Sequence, residues 1–395
     1  MEKDPVVIAS IARTPMGSFQ GTLSSVTGPD LGSVAIKSSL ERANIDPGDI
    51  SEVIMGCVLP AGQGQAPARQ AAINAGIPVA VGATTINKMC GSGMKATMFG
   101  HDLVVAGSAN IAVVGGLESM SNTPYLLPKA RQGYRMGHAE VKDHMFLDGL
   151  EDAYAEGQLM GHFAENTAEK YQFSREAQDD FAIRSLERGK KANEDGSFDA
   201  EMAVVKVSNR KGDKIVEKDE QPFSANIEKI RGLKPAFRKN GTVTPANSSS
   251  ISDGASAMVL MRRSEAEKRG ITPLAQIVGH STFSQDPAWF TTAPVGAIGS
   301  LFEKTGWSTG DVGLYEINEA FAVVTMAAMK EHGLNADQVN VHGGACAMGH
   351  PVGSSGSRII CTLVAAMQKY NVDKGVAALC IGGGEATAVA IQQVN

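Results

Sequence analysis

Asn44-Ile-Asp-Pro-Gly-Asp-Ile-Ser-Glu-Val-Ile-Met-Gly56 and Gly306-Trp-Ser-Thr-Gly-Asp-Val-Gly-Leu-Tyr-Glu-Ile-Asn318 share one layout, 262 residues apart when Asp49 is set against Asp311. In each, an amphipathic helical stretch and a Gly-Asp turn lead into an apolar strand. Farther on, Ile111-Ala-Val-Val-Gly-Gly116 parallels Ala378-Leu-Cys-Ile-Gly-Gly383 at an offset of 267. A glycine-opened helical stretch precedes each of these strands, over 91–105 in one copy and 353–368 in the other. Strand, helix, strand at this spacing predicts βαβ crossovers and a mixed or parallel sheet. The expected fold is therefore α/β with a duplicated core, two βαβ-type halves whose mixed sheets pack on each other. The crevice between two such halves is the natural place for a site.

Composition changes between the copies. Residues 121–240 hold 41 of the 78 Asp, Glu, Lys and Arg residues, about a third of that stretch, whereas the other 275 residues hold 37, or 13%. This divides the chain into an N-terminal core half (1–120 and 247–273), an inserted, solvated loop domain (121–246) and a C-terminal core half (274–395). Within the insertion, Phe173, Ala177, Phe181 and Leu186 predict a helix over 165–193. Asp195-Gly196 and Lys211-Gly212-Asp213 predict turns.

The 395 residues are 43% hydrophobic and 20% charged, enough apolar material for a large core and too much for a disordered chain. A net charge of −6 supplies no basic field, so nucleic acid is not an expected partner. No run of 18 apolar residues predicts a membrane helix. The start, Met-Glu-Lys-Asp-Pro-Val-Val-Ile, enters a strand-like pattern by Val6 and leaves no room for a signal peptide. The end, Ile-Gln-Gln-Val-Asn, matches no lipidation or peroxisomal signal. A cytoplasmic protein is the expectation. The five cysteines (Cys57, Cys90, Cys346, Cys361, Cys380) are odd in number and form no C-x-x-C pair, which argues against a disulfide framework and against a structural metal site.

Cys57 and Cys361 lie in apolar runs and read as small buried hydrophobes. Cys90 and Cys380 sit against glycine clusters instead. In Ile86-Asn-Lys-Met-Cys-Gly-Ser-Gly-Met-Lys-Ala96, Cys90 directly precedes a turn that opens a helix. The positive helix end favours a thiolate by about 0.3–1 kcal/mol, rising to about 2 when partly buried. At about 1.36 kcal/mol per pKa unit, this predicts a thiol near about 7–8, so a neighbouring base is still needed. His342-Gly-Gly-Ala-Cys-Ala-Met-Gly-His-Pro-Val-Gly-Ser-Ser-Gly356 supplies one: His350 is fixed between Gly349 and Pro351, positioned to take the Cys90 proton and then to stabilise charge on an acyl oxygen. In Ala378-Leu-Cys-Ile-Gly-Gly-Gly-Glu-Ala386, Cys380 ends an apolar strand at three glycines, where a second thiol suits proton transfer at carbon. In Tyr315-Glu-Ile-Asn-Glu-Ala-Phe-Ala322, Asn318 reads either as a helix N-cap or as an amide that holds a water in an oxyanion hole.

With these four stretches in order, the chain resembles the thiolases over essentially its whole length, from Arg13-Thr-Pro-Met-Gly-Ser-Phe-Gln-Gly21 to Gly382-Gly-Gly384. The resemblance implies an acetyl-CoA C-acetyltransferase: reversible Claisen condensation of two acetyl-CoA to acetoacetyl-CoA and CoA, or thiolytic cleavage of 3-ketoacyl-CoA, through an acyl-cysteine. By resemblance Cys90 is the nucleophile, His350 its activator, and Cys380 the acid/base at the methyl of the second acetyl-CoA. His350 with a water on Asn318 forms one oxyanion hole; the backbone N–H groups of Cys90 and Gly382 form the other. The inserted domain implies CoA binding, with Ser249 on the pantetheine arm and Met160 and Phe237 along the acyl tunnel. No metal or redox cofactor is implied, the substrates being coenzyme A thioesters, and a homodimer or homotetramer is.

Three positions depart from the short-chain pattern. Leu159 stands where relatives commonly carry His, Pro222 where they carry Arg, and Glu385-Ala386 where they read Met-Gly. Glu385 is expected to point away from the cleft, because facing Cys380 it would raise that thiol's pKa. The alternatives are a longer-chain degradative 3-ketoacyl-CoA thiolase, a ketoacyl-synthase-like condensing enzyme and a nicotinamide-dependent oxidoreductase. Cys380 before three glycines argues against the second. The lack of a G-x-G-x-x-G followed by an acidic residue at the chain's start argues against the third.

Overall fold

The structure is a computed structural model that describes residues 4–209 and 212–394. In chain order, β1 (Val6–Arg13), α1 (Gly28–Ala43), β2 (Glu52–Gly56), α2 (Pro67–Asn74), β3 (Gly82–Ile86), α3 (Ser92–Ala106) and β4 (Ile111–Ser119) come first. The stretch that follows carries α4 (Met160–Tyr171), α5 (Arg175–Glu194) and a small hairpin, and the chain returns through β5 (Ser252–Arg262). Then come β6 (Ala275–Ser284), α6 (Ala293–Thr305), β7 (Leu314–Ile317), α7 (Ala322–His332), α8 (Ser355–Tyr370), β8 (Lys374–Ile381) and β9 (Glu385–Gln392).

The main sheet runs β7-β8-β9-β6-β1-β5-β4-β2-β3. Its two ends repeat one pattern. β2 pairs parallel with β3 and β4, β4 pairs antiparallel with β5, and β5 with β1. On the other side β7 pairs parallel with β8, β8 antiparallel with β9, and β9 with β6. The counterpart of β3 shrinks to a single parallel bridge, Tyr315 to Val339. The halves join edge to edge through two residue pairs, Val7 with Gln276 and Ile8 with Ala275, so they form one continuous sheet, with helices between its two ends rather than sheet packed directly on sheet.

Alternation along the strands builds the layers. In β4, Ile111 and Val113 pack outward with α1 and α2, while Ala112 and Val114 pack inward against Met94 and Met98 of α3 and Ile359 and Leu363 of α8. In β8, Val376 and Ala378 face α6, and Ala377 and Leu379 join the same inner layer. Such two-sided burial explains why the strands read as continuous apolar runs. The inner helices α3 and α8 meet at their N-termini through backbone: a Cβ on Gly93 would stand 2.8 Å from Ser357 N, and one on Gly356 would stand 2.4 Å from Met94 N.

The helix expected over 165–193 is two helices. Gln172 turns left-handed at φ +56 and ends α4, and the Ser174 hydroxyl caps α5 by accepting the Ala177 N–H at 3.2 Å. Phe173, counted into the helical pattern, lies in the break. Gly196 makes its expected turn with φ +80. Lys211, with the residues at both chain ends (1–3 and 395), lies outside the described residues.

Candidate active site

The loop between β3 and α3 presents Cys90. Met89 beside it holds φ +46, an uncommon value for a residue with a side chain. Ser92 secures the kink, its hydroxyl accepting the Lys88 N–H at 2.8 Å and donating to the Met89 carbonyl at 2.6 Å. Asn87 adds a third tie, accepting the Met89 N–H on its side-chain oxygen at 2.9 Å. Cys90 remains partly exposed, on the wall of a cavity of about 230 Å³ that His350, Gly382, Ser249, Met160 and Phe237 also line.

His350 reaches this cavity from the loop before α8. Its N–H donates to the Ser250 carbonyl at 3.0 Å. Its Nδ1 lies 2.5 Å from Ser355 Oγ, and that hydroxyl donates to the Pro351 carbonyl at 3.0 Å. The serine oxygen then accepts Nδ1–H, which leaves the lone pair on Nε2, a buried atom with no protein partner. Burial, and after it the Arg358 guanidinium, push the imidazole down to about 3. It is a neutral base at neutral pH. Below the loop, the Glu118 carboxylate accepts N–H bonds from Val58, Leu59 and Gly353 at 2.8, 3.2 and 2.9 Å, tying it to the N-terminal half.

The thiols depart from expectation. Burial pushes Cys90 up rather than down, and the N–H groups of Gly382 and of Cys90 itself work in the opposite direction by favouring the thiolate. The desolvation that overrides the helix end is invisible in the sequence. Cys380, fully buried, packs with the wall residues Phe290, Ala320 and Phe321 but does not itself line the cavity. Burial, and then negative charge on Cys90, raise its thiol well above the usual range. The two sulfurs therefore sense each other. A resting site of neutral thiols and neutral imidazole follows, in which the proton moves when sulfur attacks rather than beforehand.

Asn318 does not cap a helix. α7 starts at Ala322 with Phe321 before it, and the Asn318 N–H donates to the Ala378 carbonyl at 3.0 Å. Its side-chain nitrogen and oxygen are both buried without partners. Leaving such an amide unpaired costs about 1–3 kcal/mol, so its placement suits a reacting oxygen or a bridging water. Glu319 next to it is structural, accepting bonds from Ser185, Asn340 and Cys346 at 2.6, 2.8 and 3.0 Å.

Ser249 is fastened to Ala320, its N–H and its hydroxyl both donating to that carbonyl at 2.9 and 3.0 Å. Met160 opens α4, and Phe237 lies over Gly161 and edge-on to Phe321. Ser248 apart, the rest of the wall is apolar and includes Phe146, Leu150, Leu159, Ile251 and Val352. Apart from Leu159, sequence reasoning missed these residues: Phe146 and Leu150 share one short helical segment, and Ile251 and Val352 come singly from loops with no spacing to mark them. It missed Ser355 too, although the serine sits five residues after His350 inside the quoted motif. Of the departures, Leu159 lines the cavity, whereas Pro222 is buried in the turn Gln221–Ser224, away from it. Glu385 is also off the wall: it pairs with Lys88 at 2.6 Å and accepts from Ser284 at 3.2 Å.

A larger hollow of about 920 Å³, lined by Asp4, His101 and Gln392, holds none of the cysteines. Among the described residues one cluster has metal-ligand types, His101, Asp102 and His280, which the sequence spacing did not reveal. Both imidazoles bond the same Asp102 oxygen, at 3.0 and 2.9 Å, which accounts for the grouping.

No helix among the described residues is long and apolar enough to cross a membrane. The thiolase N-terminal domain matches residues 6–264 and the thiolase C-terminal domain residues 271–393. The chain is 47% identical over 396 residues to an acetyl-CoA acetyltransferase of Schizosaccharomyces pombe, covering 100% of both chains. It is 47% identical over 390 residues to one from Cupriavidus necator, covering 98% of this chain and 99% of that one. A cytosolic acetyl-CoA acetyltransferase of Mus musculus is 48% identical over 393 residues, with 99% of this chain and 98% of that one covered. Matched along nearly its entire length in both domains, the chain belongs to the thiolase family.

Proposed function

We propose that the protein is an acetyl-CoA C-acetyltransferase, joining two acetyl-CoA into acetoacetyl-CoA and CoA, and running in reverse as a thiolase. The observation that carries this reading is the meeting of Cys90, His350 and Gly382 on one apolar cavity, with Cys380 buried behind the wall that Phe290, Ala320 and Phe321 form. Full-length relatives named acetyl-CoA acetyltransferase support it.

His350 Nε2 takes the Cys90 proton as the sulfur attacks the thioester carbonyl. The oxyanion is held by His350 and a water on Asn318. The carbon–sulfur bond to CoA breaks, and proton balance assigns the proton for the departing thiolate to Cys380. Once acylated, Cys90 can no longer take the negative charge that would oppose ionisation of Cys380, so the second thiolate can form at this stage. Cys380 then takes a methyl proton from the second acetyl-CoA. The carbanion attacks acyl-Cys90, whose oxyanion is held by the N–H groups of Cys90 and Gly382. Cys90 leaves as thiolate and recovers its proton from His350.

In this reading residues 121–246 bind CoA, Ser249 contacts the pantetheine arm, and Met160 and Phe237 border the acyl group. The enzyme needs no metal or redox cofactor, works in the cytoplasm and assembles as a homodimer or homotetramer. Cytosolic relatives support the compartment. Leu159 in the apolar wall favours a second reading, a longer-chain 3-ketoacyl-CoA thiolase, and kcat/KM across 3-ketoacyl-CoA lengths separates the two. The direct test is a rapid mix with labelled acetyl-CoA. One CoA per chain leaves in a burst and acetyl remains on Cys90, and both disappear in Cys90→Ala. A wild-type enzyme without the burst would end the proposal.

A further inference from the structure

Three glycines, Gly382 to Gly384, form the turn of the β8–β9 hairpin, with Gly383 and Gly384 at φ +93 and +89. Ile381 and Glu385 are the paired residues on either side of this turn. Each touches the Cys90 loop. Ile381 packs on Gly91 so closely that a Cβ there would stand 2.4 Å from its Cδ1. Glu385 meets Lys88, its Oε2 lying 2.6 Å from Nζ across 297 residues of chain. Between these contacts Gly382 lines the same cavity as Cys90, and its N–H favours the Cys90 thiolate.

A turn of three glycines has little stiffness of its own. It must nevertheless hold one N–H in a fixed relation to a sulfur carried by the opposite half of the molecule. Apolar contact through Ile381 fixes the approach of the two segments but leaves sliding and twisting free. A charged contact on the opposite side of the turn removes that freedom. Both members of the pair are partly open to solvent, at 22% and 32% side-chain exposure, so water screens the field of either charge at the sulfurs.

We infer that Lys88 and Glu385 are a positioning pair that docks the triple-glycine turn on the Cys90 loop and so aims the Gly382 N–H at the reacting centre. The inference rests on the roles proposed above for Cys90 and Gly382. It gives Glu385, where relatives commonly read Met, a task of its own in this chain.

The test is a double-mutant cycle in the full-length enzyme: Lys88→Met, Glu385→Met, both together, and the reversed pair Lys88→Glu with Glu385→Lys. Loss of an oxyanion donor outright costs about 10²- to 10³-fold in rate. A donor present but unpinned should cost less, about 3- to 30-fold in kcat for each single variant, with KM for acetoacetyl-CoA within about twofold. The double variant should be no slower than the worse single one, and the reversed pair should regain most of the loss. The pH profile of Cys90 alkylation should be the same in all of them. Singles that keep more than half of kcat, losses that multiply in the double variant, or an alkylation profile that moves with the charge each overturn the inference. Wild-type enzyme that forms no acetyl-Cys90 refutes the catalytic reading instead. A normal acetyl-Cys90 with indifferent variants refutes only the pair.

Discussion

Ser355→Ala isolates the tautomer of His350. The hydroxyl accepts Nδ1–H at 2.5 Å and is absent from the cavity wall, so its removal leaves substrate contacts untouched. A net intramolecular hydrogen bond is worth about 0.5–1.5 kcal/mol. That much preference for the productive tautomer, at about 1.36 kcal/mol per decade, makes acylation about 2- to 13-fold slower without it. His350→Ala, which removes the base itself, should cost about 10²- to 10⁴-fold. The assay is single-turnover release of CoA from acetyl-CoA with enzyme in excess, quenched on the millisecond scale, with KM for acetyl-CoA measured in parallel. The expected result is a slower burst of full amplitude and unchanged KM. An unchanged burst rate would show that Ser355 does not orient the imidazole. A loss as large as that of His350→Ala would show that the serine takes part in the chemistry directly.

Cys380→Ser should keep the CoA burst yet lose acetoacetyl-CoA turnover by at least about 10²-fold, since a serine hydroxyl is a far weaker acid than a thiol; a variant that condenses normally refutes the role. His342, pushed down to about 4 by burial, is neutral in the fold and charged in the unfolded chain below pH about 6.5. Its burial therefore subtracts stability as pH falls from about 6.5 to about 4, and His342→Gln should flatten that part of a melting-temperature profile; an equal slope in both proteins contradicts this. Gly384→Ala adds a Cβ at φ +89 only 2.3 Å from the Gln285 carbonyl oxygen, a strain of at least about 1–3 kcal/mol that should lower the melting temperature. An alanine variant melting with the wild type would show that the turn relaxes freely.

The duplication was legible because two Gly-Asp turns introduce two buried strands, and strands covered on both faces print as apolar runs. The strand opposite β3 was not, because 335–341 (Asn-Ala-Asp-Gln-Val-Asn-Val) contains no such run and pairs at one residue. The break between α4 and α5 also escaped. Gln172 takes a left-handed conformation at no cost visible in its residue type, and Phe173 happens to fall in helical phase. At the site, Cys90 and His350 stood out by their glycine surroundings, which mark close backbone approach, and Gly382 by the family resemblance; all three line one cavity. The sign of the Cys90 shift was not, because a helix end can be seen in a sequence and the depth of burial beside it cannot. Glu385 could be foreseen to turn from the cleft, but its partner Lys88 is too distant along the chain for any local pattern to announce.

The crossing of α3 and α8 at Gly93 and Gly356 has a consequence for how this molecule can change. The nucleophile enters from the start of one helix and the base from just before the start of the other, so their spacing is set where peptide lies on peptide. A contact made of main chain, with only Ser357 Oγ and Met94 Cβ beside it, has no intermediate sizes. The smallest possible insertion, one methyl group, already exceeds the gap. Reach between sulfur and imidazole is thus not a quantity that successive small replacements can tune, and new acyl preferences must come from the cavity's apolar lining instead.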